Sequence, residues 1–455
     1  MNGCIKPLSR RNEASLLVAD VRSPPTQFVG VGRRYSRRIV VPLAVLAVFF
    51  AVQQTGFGIL DYVPLAVTRA SQVLLIGATL LLAFLGATQF AHLPLYHRRV
   101  VLAFIALNTF YGLGSALFGG VRPIFHLESA ILACACVPVI RDSRVWIAIL
   151  RGFFWAGVVL VALNTVPLLH WAGWVSLPNQ FVRRLIDTGV DLSSYDPLSF
   201  GIFGRTENQV VVGRFFARLQ GWALEPLHWG YFVILTLAAG LILRSLDASR
   251  WHSRRYAWAF LLLVSHTFFI GSSSVSLTLF GWMACVAALA VMRGVPWLTR
   301  GSGPVVFFTA VIGTGFVIPF ALAMIPEIDW WLETEDITGE GSNWRDKIRF
   351  LALGPALFTR FVPTFAAEPL TSHNLILEMY LRYGYILVLP LLVFLYWVIR
   401  NGISGRPLGF ASAILLIVLC HLLLVPTAMF YPAGTLFVIF GLTAAYYQRH
   451  GLSTA

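Results

Sequence analysis

Residues 214–243 read RFFARLQGWALE and then PLHWGYFVILTLAAGLIL. From Pro226 to Leu243 there is no Asp, Glu, Lys or Arg. A run of that kind is long enough to cross a hydrocarbon layer, which takes roughly 17–25 mainly apolar residues. Pro226 suits the first turn of a helix, where its missing N–H costs nothing. Glu225 stands where an acceptor satisfies free helix N–H groups. Arg214 and Arg218, four apart, share a side just ahead of the run, and guanidinium groups there suit bidentate capture of phosphate oxygens. The stretch joins a polar mouth to a membrane-length helix.

The same pattern recurs outward in both directions. Spans are expected at 39–58, 67–90, 100–118, 124–140, 147–169, 226–243, 256–272, 274–292, 304–326, 380–399, 408–426 and 431–447. The fourth is short and carries Glu128, and a tight hairpin at Gly271–Ser274 separates the seventh from the eighth. The expected fold is all-α: a polytopic integral membrane protein of about twelve transmembrane helices with two long extracytoplasmic loops, 170–225 and 327–379. The parts are a basic tail (1–38), helices 1–5 (39–169), the first long loop, helices 6–9 (226–326), the second long loop, helices 10–12 (380–447) and a short tail (448–455).

Composition agrees. The 455 residues are 58% hydrophobic and 12% charged, against about 25% charged in a soluble domain. A cytosolic enzyme, a disordered scaffold and a nucleic-acid-binding module are excluded. The net charge of +14 falls in short clusters between apolar runs. With the N-terminus inside, cytoplasmic segments hold most of the Lys/Arg and few of the Asp/Glu, as the positive-inside rule requires. The long loops then face outward, where any group transfer needs a donor that arrives already activated. The first 38 residues lack the apolar core of a signal peptide. Cys134, Cys136, Cys285 and Cys420 lie within apolar runs and read as small span residues, not metal ligands.

The second long loop opens with an acidic stretch from Glu327 to Glu340 that matches no calcium loop and reads as a solvated connector. Trp344, Ile348 and Leu351 then recur at helical spacing, with Arg345 and Arg349 on another face. That is a short amphipathic helix lying in the interface. The loop closes on Ser372-His373-Asn374, then Glu378, at the mouth of a span. Histidine moves protons near neutral pH, so His373 is the natural base if the chain is an enzyme, and an interfacial anchor if it is not. His266 and His421 fall inside apolar spans. Intramembrane ionisable residues are scarce, Glu128 being the main one, whereas an ion-coupled transporter usually carries several.

Residues 373–384 fit the pattern H-N-x-x-L-x-x-x-x-x-x-G, and residues 218–226 fit R-x-x-G-x-x-x-E-P. Together with Arg345 in its Trp-Arg helix, followed by Gly354-Pro355, they resemble the O-antigen ligase/polymerase superfamily, in particular its exopolysaccharide-polymerase branch. The Pro-Leu-x-Gly-x-Gly turn usual in that family is absent. The Gly271–Ser276 hairpin falls where many members carry a serine-arginine pair and here lacks the arginine. The resemblance covers residues 210–390. It implies a metal-independent glycosyltransferase of the bacterial inner membrane, without cofactor, joining undecaprenyl-diphosphate-linked oligosaccharides at the periplasmic face. His373, Arg218 and Arg345 would be catalytic, with Arg214, Glu225, Arg349, Asn374 and Glu378 as substrate contacts. Expected partners are the lipid-linked donor, membrane lipid, a flippase and a chain-length regulator. A ligase that transfers finished polymer to lipid A-core, and a flippase of the lipid-linked unit, are the alternatives.

Overall fold

The computed structural model describes residues 37–53, 65–117, 123–178, 180–181, 198–211, 214–223, 226–246, 254–294, 305, 307–310, 313, 375–403, 408–424 and 432–449. Its helices are α1 (Arg37–Gln53), α2 (Leu65–Gln89), α3 (Leu95–Leu117), α4 (Pro123–Ile140), α5 (Ser143–Trp171), α6 (Pro226–Leu246), α7 (Arg254–Phe269), α8 (Ser273–Gly294), α9 (Leu375–Ile403), α10 (Leu408–Leu424) and α11 (Pro432–Arg449). A described helix overlies each expected span except 304–326, which lies mostly outside the described residues.

The chain is a predominantly helical, membrane-embedded protein. Four helical stretches are each long and apolar enough to cross a bilayer: Arg69–His92, Ser143–Trp171, Pro226–Leu246 and Ser274–Gly294. Shorter apolar helices lie at His126–Ile140, Val388–Gly402, Leu408–Leu422 and Pro432–Tyr447. The four free cysteines of the described residues sit in α4, α8 and α10, in keeping with small apolar span residues.

Two helices form the centre. From Trp229 to Leu243 every residue of α6 is buried, and α10 is buried from Phe410 to Leu422. A helix apolar on every side must be enclosed; α5, α8, α9 and α11 pack around this pair. The periphery inverts the pattern of a soluble protein. On α2, Val73 is 71% and Phe84 66% exposed, and Val291 of α8 is 68% exposed. Apolar surface of that extent is stable only against lipid or a partner.

At the end of the bundle opposite the sheet, Asp142 caps α5 by accepting from Arg144 N at 3.1 Å, a contribution of about 1 kcal/mol. The same carboxylate takes a bidentate pair from Arg37 at the start of α1. The pair is largely solvent-exposed, so it ties the two helix ends at a worth of about 0–1 kcal/mol. Tyr447 of α11 donates to the Ile140 carbonyl, 3.2 Å away, at the end of α4.

Hydropathy reads 170–225 as a connecting loop, but the structure builds a four-stranded antiparallel sheet there, in chain order. Its strands are β1 (Gln180–Phe181), β2 (Leu198–Ser199), β3 (Arg205–Val211) and β4 (Arg214–Gly221). The long pair runs in register from Val211 opposite Arg214 to Glu207 opposite Arg218. Thr206 opposite Leu219 keeps that register, and only then does it shift, so that Arg205 pairs with Gly221, which leaves Gln220 as the extra residue of a bulge. That bulged end is wedged into the bundle: Arg205, Thr206, Arg218, Leu219 and Gln220 are all buried. Trp171 of α5 reaches Thr206 Oγ1 at 3.4 Å, and Asn164 of the same helix donates to the Phe203 carbonyl at 2.9 Å. The sheet is thereby fixed to the ends of α5 and α6.

Candidate functional site

The buried corner of the sheet is where the described polar side chains of the motif region gather. Arg218 is 5% exposed, and its Nε donates to the Ile270 carbonyl at 3.5 Å. Ile270 ends the turn after α7, and the next residue, Gly271, has φ +65°. A Cβ at 271 would lie 2.8 Å from Arg218 Cγ, so both the backbone and the arginine stem require glycine there. The α7–α8 hairpin expected from the sequence is therefore the seat of Arg218. It continues into Ser272 and Ser274, both buried, and Ser276 N returns to the Ser272 carbonyl at 3.1 Å to start α8. Buried Thr278 closes the next turn on the Ser274 carbonyl at 2.8 Å.

The second wall is aromatic. Gly221 ends β4 at φ +58°, with the Trp229 indole where a side chain would project: a Cβ would sit 2.2 Å from its ring. Trp222 meets Trp229 edge-on at 5.6 Å, and Phe232 stacks on it at 5.2 Å. The Trp229 Nε1–H donates to His266 Nε2 at 2.8 Å. In the motif R-x-x-G-x-x-x-E-P, the glycine admits Trp229, the arginine reaches the α7–α8 turn, and Pro226 begins α6.

Chemically, the corner offers a guanidinium in low-dielectric surroundings, where its interaction with an anion strengthens, together with hydroxyls and a buried imidazole. Among the described residues, no group of three or more His, Cys, Asp or Glu is placed to hold a metal ion.

The structure places the other expected site residues only in part. Arg214 lies on β4 opposite Val211, and Glu378 lies in the first turns of α9, the side chains of both being outside the described residues. Glu225, Arg345, Arg349, His373 and Asn374 lie outside the described residues.

Sequence reasoning passed over residues that belong to this corner. His266 reads as a span histidine, yet its one-turn spacing from Ile270 brings it beneath the seat of Arg218. Arg205, 2% exposed beside Gly204 on β3, had no motif to mark it. A second polar patch lies between α3 and α4, where Tyr111 stacks on His126 at 6.0 Å beside buried Asn108 and Ser129. Only its neighbour Glu128 stands out by charge.

No family model, curated protein or solved structure matches the chain.

Proposed function

We propose that the chain is a polysaccharide polymerase, a glycosyltransferase that joins undecaprenyl-diphosphate-linked oligosaccharide repeat units into exopolysaccharide or O-antigen. In this reading twelve spans place both termini in the cytoplasm, and the sheet, Arg218 and the second long loop face the periplasm of a bacterial inner membrane. The observation that carries it is the seating of Arg218. A guanidinium 5% exposed, held against the α7–α8 turn where the helices meet the sheet, is suited to hold an anionic oxygen such as those of a lipid diphosphate.

The chemistry needs an anion-holding group and a base. Arg218, with Arg345 and Arg214, neutralises the diphosphate of the donor. This interaction grows as the anomeric C–O bond breaks and charge passes to the leaving lipid diphosphate. His373 takes the proton of the acceptor hydroxyl as that oxygen bonds to the anomeric carbon. Asn374, Glu225, Arg349 and Glu378 are the proposed substrate contacts. The donor brings its own activation, so the step balances with undecaprenyl diphosphate as leaving group.

Deleting the gene in its bacterium tests the reading. A polymerase predicts loss of long chains with lipid-linked single repeats accumulating at the periplasmic face. Long polymer that stays on its lipid diphosphate and fails to reach its acceptor would identify a ligase, and repeats trapped at the cytoplasmic face a flippase.

A further inference from the structure

His266 is completely buried, and its ring is only half used. Because an indole nitrogen can only donate, His266 Nε2 is the acceptor of the Trp229 bond, and the ring hydrogen sits on Nδ1. Among the described residues that Nδ1 has no hydrogen-bond partner, an arrangement that costs stability in a buried site. The bond joins α6 to the last turn of α7. Four residues on, just past the end of α7, the Ile270 carbonyl receives Arg218 and Gly271 makes room for its stem. Trp229 also fills the space above Gly221, three residues beyond Arg218 on the same strand. The indole thus touches both the strand that carries the arginine and the helix that seats it.

We infer that Trp229 and His266 are positioning residues for Arg218: their bond sets the turn after α7 that aims the guanidinium at an anionic oxygen. This rests on the polymerase reading for what the anion is, a lipid diphosphate, but not for the positioning itself.

The test uses full-length protein in detergent, screened for monodispersity, and has two arms. The first needs no activity: butanedione modification of Arg218, followed by peptide mass spectrometry. Trp229→Phe and His266→Leu are expected to speed modification at Arg218 about tenfold, the order of effect of one lost hydrogen bond. His266→Gln, whose amide oxygen can still accept the indole N–H, restores the slow rate. Tyr231→Phe, at the other buried histidine, leaves it unchanged. Should His266→Leu fail to fold, Trp229→Phe and His266→Gln still decide the matter. The second arm measures polymer formation from lipid-linked donor. Trp229→Phe lowers kcat/KM about tenfold in the natural background but less than about twofold on top of Arg218→Lys, since residues acting as one unit are not additive. Unchanged modification in Trp229→Phe overturns the inference even if the protein makes polymer. Faster modification in the variants, with wild type itself making no polymer, upholds the positioning and refutes the polymerase.

Discussion

His266 and His421 are both completely buried, each faces an aromatic donor from α6, and they differ in how they are finished. His421 gives its Nδ1–H to the Ile417 carbonyl at 2.7 Å and, in the neutral ring, takes the Tyr231 hydroxyl on Nε2 at 2.9 Å. Gly434 of α11 closes over it: a Cβ there would meet the ring at 2.3 Å. Every polar atom of that imidazole is accounted for, in the last turn of α10. His266 takes the Trp229 N–H, and among the described residues its Nδ1 has no partner, near the seat of Arg218. A sealed imidazole locks helices together. An unsealed one stands near the turn that seats a buried guanidinium, and under the proposed function that is where an anion would bind.

The largest expected effect sharpens the functional side of this contrast. His373→Ala should cut polymer formation about 10²–10⁴-fold, the usual worth of a general base, while lipid-linked repeats accumulate. Polymer on gels at matched protein level reads it, and normal polymer would return His373 to an interfacial anchor. Next comes Arg218→Lys, which keeps the charge but loses the planar fork. A loss of roughly 10–100-fold is expected from hydrogen bonds to a charged group, worth about 1.5–3 kcal/mol.

Glycine substitutions probe the corner's construction. Gly221→Ala forces a left-handed backbone and drives a methyl into the Trp229 ring, so it should lower thermal stability by about 1–3 kcal/mol. The smallest effect is expected at the sealed histidine. Tyr231→Phe should cost about 1 kcal/mol of stability with activity per folded protein unchanged. If it instead impaired polymer formation as much as Trp229→Phe, the distinction between the two histidines would collapse.

The helices were legible because lipid demands long apolar runs, and α6, announced by Pro226, begins where the sequence places it. The sheet was masked by the same rule. Hydropathy sees 170–225 only as polar, although Thr206, Val210 and Val211, then Phe215 and Phe216 across Gly213, carry the β-branched and aromatic signature of a hairpin. Of the site, Arg218 was readable from its spacing to Gly221 and Pro226. Its seat was not, because Ile270 contributes a backbone carbonyl and Gly271 an absent side chain. His266 was hidden by its neighbours: in an apolar run it resembles His421, and only the Trp229 partner and the open Nδ1 separate them.

The central claim is that the Arg218 corner holds a lipid diphosphate, and binding tests it without the reaction. Purified wild-type protein and Arg218→Gln, equally monodisperse, would be titrated with a short-chain prenyl diphosphate and with the matching prenyl alcohol. The account predicts that wild type prefers the diphosphate and that Arg218→Gln weakens that binding about tenfold or more while leaving the alcohol unaffected. Equal diphosphate affinity in the two proteins would contradict it.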